Sequence, residues 1–331
     1  METRKLGRTG RDVSVIGLGC WQLGADWGEV SDDAASEVLT SALDAGVTFL
    51  DTADVYGDGR SEQFIGRLLA GLSPEQRAGL TVATKMGRRA DPHVAEAYTL
   101  DAFRAWTDRS RENLGVDTLD LVQLHCPPTA LLGRADTYDA LDTLVEEGRI
   151  AAYGVSVEKV DEALMAINHP NVATIQIIVN IFRRRPLLEV LPVAAVNGVG
   201  IIARVPLASG LLSGRYTETT EFAPNDHRSF NRRGEAFDVG ETFAGVPYEV
   251  GVAAARKVAA LTPEGMTTAQ MALRWLIDTH GVSTVIPGAR TPEQARANAA
   301  AASFPALSTE ILVELEKIYE DDIELHLGDR W

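Results

Sequence analysis

The chain has 331 residues, 45% hydrophobic and 24% charged, enough apolar material for one large core or two average ones. Its formal net charge of −16 argues against sequence-independent nucleic-acid binding, which needs clustered Lys and Arg to displace counterions. Two cysteines, Cys20 and Cys126, cannot build a disulfide framework, no run approaches the roughly 20 apolar residues of a membrane helix, and no apolar signal segment follows Met1, so a reducing, cytoplasmic setting is expected.

Residues before Val13 predict a small hairpin, and residues 13–18 form the first short apolar run. Ser31 is placed to cap a helix with Asp32 and Asp33 in its first turn and Val38, Leu39, Ala42 and Leu43 at helical spacing. A second run, 47–51, leads to Ser61 and the stripe Phe64, Ile65, Leu68 and Leu69. Run 80–84 precedes Thr99, which opens a helix carrying Phe103, Trp106 and Leu114. Run 119–124 precedes Thr137, Leu141, Leu144 and Val145, with Gly148 where a helix-ending glycine belongs. Runs 150–155, 173–178 and 198–203 follow, and then the rhythm breaks. Residues 211–247 are polar, contain Gly and Arg, and are too long for an ordinary connection, which predicts a functional loop. Thr267 and Gln270 form a capping-box pattern before Met271 and Trp275; run 283–286 comes next. Thr291, Pro292 and Gln294 then combine cap, first-turn proline and third-position glutamine.

The runs are rich in Val, Ile and Leu and mostly do not alternate, as strands buried on both faces do. Eight of them, each followed by a helix and unbroken by a linker, favour an α/β fold: a single-domain (β/α)8 TIM barrel over residues 1–331. The hairpin then lies under the barrel floor, and residues 321–331 read as a further extension near the mouth.

In such a barrel the carboxyl ends of the strands converge. The second ends in Asp51-Thr52-Ala53-Asp54-Val55-Tyr56-Gly57, the third in Thr84-Lys85 and the fourth in Leu124-His125. Each has a bland reading: Asp51 as a turn cap, Tyr56 as a loop aromatic, Lys85 as a solvated strand end, His125 as a structural histidine. Together, a carboxylate, a phenol, an amine and an imidazole on consecutive strand ends suit acid–base work on a carbonyl. A free phenol, with a pKa of about 10, gives up its proton reluctantly near neutrality. A close ammonium would lower that value, and a buried carboxylate would keep the ammonium charged. Tyr56 would then protonate the carbonyl oxygen during reduction, with His125 orienting that oxygen.

At this point the chain resembles the aldo-keto reductase superfamily over essentially its whole length, closest to a bacterial branch related to the channel β-subunit-like reductases. The resemblance rests on Gly17-Leu18-Gly19-Cys20-Trp21, Asp51 to Gly57, Thr84-Lys85, Asp120 to His125, Gly154-Val155-Ser156, Gln176 to Asn180, Arg204 to Leu212 and Ile286 to Asn298. It implies a cofactor, NADP(H) favoured over NAD(H), held across the barrel mouth without a Rossmann domain. The sequence agrees: Gly17-Leu18-Gly19 leads to Gln22, leaving G-x-G-x-x-G incomplete. Carried over by position, Asp51, Tyr56, Lys85 and His125 match the catalytic tetrad. Ser156 and Gln176 match the residues that hold the nicotinamide carboxamide, and Arg204 falls against its ring. Pro206, Leu207 and Ser209 match the pyrophosphate loop. Gly19, Cys20 and Trp21 adjoin the cofactor, and Gly288, Arg290, Gln294 and Asn298 hold its adenosine half. The capping box competes for Gln294.

Two departures stand out. Val157 replaces a common Asn, and Arg204 replaces an aromatic. Stacking a cation on an oxidised, positive nicotinamide is unfavourable, which predicts a preference for reduced cofactor and for carbonyl reduction. Arg290 is the cation placed for a 2′-phosphate. Trp21 and Trp27 are expected to line the substrate pocket beside Tyr56 and His125. Asp226-His227-Arg228 reads as loop ordering. The spacing of His93, His169, His280 and His326 is not that of a metal site, and none is expected. The partner is a small carbonyl or alcohol whose identity the sequence leaves open, as it does a homo-oligomer. A cofactor-binding regulatory protein, and a barrel lyase or aldolase with Lys85 as Schiff-base amine, are the competing readings.

Overall fold

A computed structural model describes residues 1–24 and 30–328, so Trp27 and the last three residues of the tail lie outside the described part. Strands β1 (Thr3–Lys5) and β2 (Asp12–Ser14) form an antiparallel hairpin, Arg4 opposite Val13. Eight further strands follow: β3 (Leu18–Gly19), β4 (Phe49–Asp51), β5 (Thr81–Met86), β6 (Leu121–His125), β7 (Tyr153–Ser156), β8 (Val172–Ile178), β9 (Gly200–Arg204) and β10 (Val282–Val285). Each pairs in parallel with the next in sequence order. Parallel bridges Ile16–Val285 and Gly19–Gly288 join the first to the last, closing the barrel.

The hairpin seals the floor. Leu6 and Val13 are fully buried among Phe49, Ala83, Leu121, Ile202 and Ile286, inside the barrel. Gly7, at φ +50°, sits so close that a Cβ there would lie 2.1 Å from the Ala173 carbonyl oxygen. The predicted first strand, 13–18, divides: Asp12–Ser14 belongs to the hairpin, whereas Ile16 and Leu18–Gly19 pair within the barrel. An apolar run records burial, and both locations bury it, so hydrophobicity cannot mark the crossing point.

The outer helices start where their caps predict. Ser31 accepts the Ala34 N–H ahead of Asp32–Asp44, Thr99 does the same for Leu100–Leu114, and Thr267 with Gln270 makes a reciprocal box on Thr268–Asp278. Two starts differ. The helix Arg60–Ala70 begins before Ser61, whose hydroxyl turns inward to the Cys20 carbonyl (2.9 Å) instead of capping. The helix Ala135–Glu146 likewise contains Thr137.

Between β9 and the helix Thr268–Asp278, the loop carries only short turns, among them His227–Phe230 and Val239–Glu241, before the helix Tyr248–Ala260. The tail is helical over Glu324–Leu327, and Asp322 pairs with Lys257 at 2.7 Å. None of its described residues lines the mouth cavity. No described helix is long and apolar enough to cross a membrane.

Candidate active site

The ends of β4, β5 and β6 bring Asp51, Lys85 and His125 to one side of the mouth, and the turn after β4 adds Tyr56. Lys85 is 1% and Asp51 2% exposed, and their side chains meet at 2.5 Å. The ammonium also donates to the Thr52 carbonyl (2.9 Å) and to the Tyr56 hydroxyl oxygen (3.3 Å). All three of its protons are thereby used, and the Tyr56 proton, not needed by this contact, is left to point elsewhere. The other Asp51 oxygen accepts from Gln176 (2.8 Å) and Gln123 (3.2 Å). Gln123 escaped the sequence reading, although it lies two residues before His125 and therefore on the same strand face.

Burial alone would drive Lys85 towards the neutral amine, but Asp51 and Tyr56 outweigh it and hold its pKa above the ordinary lysine value. A fully engaged ammonium is a poor Schiff-base nucleophile, which counts against the lyase reading. Tyr56 departs from expectation. Burial pushes the phenol upward, Lys85 opposes it, Asp51 and Glu241 reinforce it, and the net direction is up. The lysine acts with the predicted sign, yet the closed surroundings win; the phenol keeps its proton. His125 stands edge-on to Tyr56, ring centroids 5.8 Å apart at 87°. Burial, then Arg88, Lys85 and Arg204, hold its pKa well below 6.5, so it is neutral near pH 7. Its Nδ1 has no hydrogen-bond partner among the described residues.

Trp21 stacks beside Tyr56 (5.9 Å, 19°) and meets His227 at 4.9 Å and Phe237 at 5.9 Å. Those two rings come from the long loop and were not anticipated as packing partners of Trp21. Asp226 caps the turn His227–Phe230 by accepting the Arg228 N–H, consistent with the loop-ordering expectation.

A cavity of about 640 Å³ opens beside Tyr56 and runs across the mouth, a volume usual for small-molecule sites. Of the residues singled out in the sequence, Gly19, Trp21, Asp51, Tyr56, Gln176, Arg204, Pro206, Leu207, Ser209, Gly288, Arg290, Gln294 and Asn298 line it. Lys85 and His125 sit behind Tyr56, and Ser156 is buried 3.9 Å from the Cys126 sulfur. Cys20 faces the wall, its thiol 3.6 Å from the Leu18 carbonyl oxygen. Val205, Ala208 and Ser209 adopt φ +52°, +47° and +54°, a run of non-glycine left-handed residues that persists only under tertiary constraint. Gln294 corrects another expectation: its side-chain oxygen accepts the Arg290 N–H (2.8 Å), not the Thr291 N–H of a capping box. Arg215 and Arg228 add further basic side chains to the cavity wall.

A family model described as the aldo/keto reductase family matches residues 15–320. The chain belongs to the aldo/keto reductase family. It is 28% identical to the aldo-keto reductase YhdN of Bacillus subtilis over a 332-residue alignment, covering 99% of this chain and 96% of that one. It is 27% identical to a probable voltage-gated potassium channel subunit beta of Oryza sativa subsp. japonica, with 97% of each chain covered. A solved aldo/keto reductase from Klebsiella pneumoniae in complex with NADP and acetate matches with a TM-score of 0.71 at 25% identity, over 96% of this chain and 95% of that one.

In this family member Arg204 does not stand as a bare cation. Its guanidinium donates to the Val157 carbonyl (3.0 Å) and lies 3.6 Å from the Glu241 carboxylate, and Arg88 pairs with Glu241 (2.7 Å) and Glu158 (3.2 Å). The premise behind the expected preference for reduced cofactor, an uncompensated charge against the ring, is thereby removed. Despite its burial, Glu241 is held below the usual carboxylate range by Arg88 and Arg204, whereas burial and the Glu241 charge push Glu158 up. Potential ligand atoms of Cys126, Glu158 and Glu241 lie within 4.8 Å of one another. Because Arg88 already engages both carboxylates, the cluster reads as an ion-pair network.

Asp54, inside the Asp51–Gly57 segment, is fully buried, and neither of its carboxylate oxygens has a hydrogen-bond partner among the described residues. Burial first, then the Glu62 charge, pushes its pKa up to about 7. A carboxyl raised on folding binds more protons in the native than in the unfolded state, so its contribution to stability falls as pH rises through this window. Asp54→Asn removes that loss. Its gain in unfolding free energy over the wild type should grow between about pH 4 and about pH 7, by up to about 1.4 kcal/mol per pH unit, and then level off. A pH-independent difference in thermal melting would contradict the assignment.

Proposed function

We propose that the chain reduces aldehydes or ketones with NADP(H), Tyr56 acting as general acid. The observation that carries this is the saturated Lys85 ammonium: it holds the Tyr56 oxygen at 3.3 Å while the phenol stands beside neutral His125, at the end of a continuous cavity. The residues present fit a dinucleotide. Gln22 Oε1 and Arg204 Nε are buried on the cavity wall without partners among the described residues, and the left-handed residues Val205, Ala208 and Ser209 shape the loop beside the cleft. Arg290 precedes the helix Pro292–Ala300, whose positive dipole end favours a phosphate, and Arg215 supplies a second cation. NADP is also the molecule named with the Klebsiella pneumoniae relative.

Bound reduced nicotinamide supplies the electron pair and hydrogen for the carbonyl carbon. Tyr56 gives its proton to the carbonyl oxygen, and the phenolate left behind is stabilised by Lys85, its charge in turn balanced by Asp51. Neutral His125 can donate an N–H to the same oxygen and fix its direction. Trp21, backed by His227 and Phe237, walls the side next to Tyr56.

The test is loss of reduced-nicotinamide absorbance with a panel of aldehydes and ketones, run with NADPH and NADH. No carbonyl-dependent consumption anywhere in the panel would remove the reading. For the cofactor half, Arg290→Ala should raise the NADPH KM about tenfold or more, the worth of a charge-assisted phosphate contact, and leave the NADH KM nearly unchanged. Equal effects on both would count against Arg290. Full-length similarity to the rice channel subunit favours a second reading, a cofactor-binding partner subunit; it requires tight cofactor binding with negligible turnover on every substrate.

A further inference from the structure

We infer that Glu241 is the specificity residue that sets how evenly the nicotinamide site accepts oxidised and reduced cofactor. The inference rests on the cofactor reading above and adds to it a role for the long loop. Glu241 ends the turn Val239–Glu241, is 5% exposed and lines the same cavity as Arg204. Its backbone is tied to the strained segment after β9 on both sides: Ser209 Oγ donates to the Glu241 carbonyl (3.0 Å) and accepts the Phe243 N–H (3.1 Å). The carboxylate is therefore delivered to a fixed place, between Arg204 at 3.6 Å and Arg88 at 2.7 Å.

Oxidised and reduced nicotinamide differ at the ring by one positive charge. A buried guanidinium facing that ring would repel the oxidised form, and in a poorly screened site one unit charge a few ångströms away outweighs most single contacts. Glu241 places the opposite charge beside it, so the two fields largely cancel at the ring. Glu158 belongs to the same network, but its ion pair is with Arg88, and it does not line the cavity. The side chain with both contact to Arg204 and access to the cavity is Glu241.

The experiment is titration of the full-length protein with NADP+ and with NADPH, read by protein fluorescence, giving the ratio of the two Kd values. Glu241→Gln should raise the oxidised-to-reduced Kd ratio about tenfold or more, because Arg204 is left uncompensated. Arg204→Gln should shift the ratio the other way, the double variant should return it towards the wild type, and Glu241→Asp, which keeps the charge, should stay near it. If Glu241→Gln does not fold, the opposite shift in Arg204→Gln still decides the matter. Equal weakening of both cofactor forms, or shifts of the same sign in the two single variants, would overturn the inference and reduce Glu241 to a loop tether. Failure of the wild type to bind either form would instead sink the cofactor reading itself, and this inference with it.

Discussion

Tyr56→Phe is expected to lower kcat by about 10²–10⁴-fold, the usual worth of a positioned general acid, while leaving cofactor Kd within about twofold. The phenyl ring keeps the stack on Trp21 and the edge contact with His125, both of which involve ring atoms rather than the hydroxyl. What disappears is one oxygen, the one Lys85 holds at 3.3 Å. The pH profile gives an independent check. Because burial raises the phenol above its ordinary pKa of 10, the wild-type enzyme should hold its activity on the alkaline side until above that value. Because His125 is held neutral, no step should appear near pH 6.5. A Tyr56→Phe enzyme retaining more than about a tenth of the wild-type kcat would require a different proton donor.

Lys85→Met has the second large effect, and it acts on two properties at once. Removing the ammonium strands Asp51 as a buried charge, which costs about 3–5 kcal/mol of stability. It also removes the cation that stabilises the Tyr56 phenolate, lowering kcat by about 10²–10³-fold. The two can be separated. In the double variant Asp51→Asn, Lys85→Met no charge is stranded, so much of the lost stability should return, and the Gln123 and Gln176 contacts to position 51 need rearrange only locally. Activity should not return with it. Denaturant melts and NADPH-linked turnover on the same three proteins check both halves. Recovery of activity together with stability would show that Lys85 serves the fold alone.

The strand ends were the most legible feature of the site. Asp51, Lys85 and His125 each close an apolar run, and a closed parallel barrel leaves one mouth for all of them to share. Cap residues such as Ser31, Thr99 and Thr267 were legible because a cap is settled by neighbours three residues away. Ser61 was not: its hydroxyl finds the Cys20 carbonyl, a partner on another element, and local pattern holds no record of such a partner. Gln294 failed for a related reason, since the Arg290 N–H offers the same side-chain oxygen a second donor within the same turn. Trp21 could be placed near the pocket, but the rings it meets, His227 and Phe237, lie in an irregular loop where no periodicity assigns a facing side.

Sequence by itself determined the alternation of strand and helix, the closure of the barrel and which side chains stand at its carboxyl rim, because periodicity and chain order are local quantities that survive without coordinates. Tertiary structure alone decided where residues 13–18 change walls, that burial outweighs Lys85 in setting the Tyr56 proton, and that the Glu241 carboxylate meets Arg204. Those three depend on what lies opposite a residue across space and how much water is excluded there. Charge and burial act through distance, and distance between segments far apart along the chain exists only once the barrel has closed.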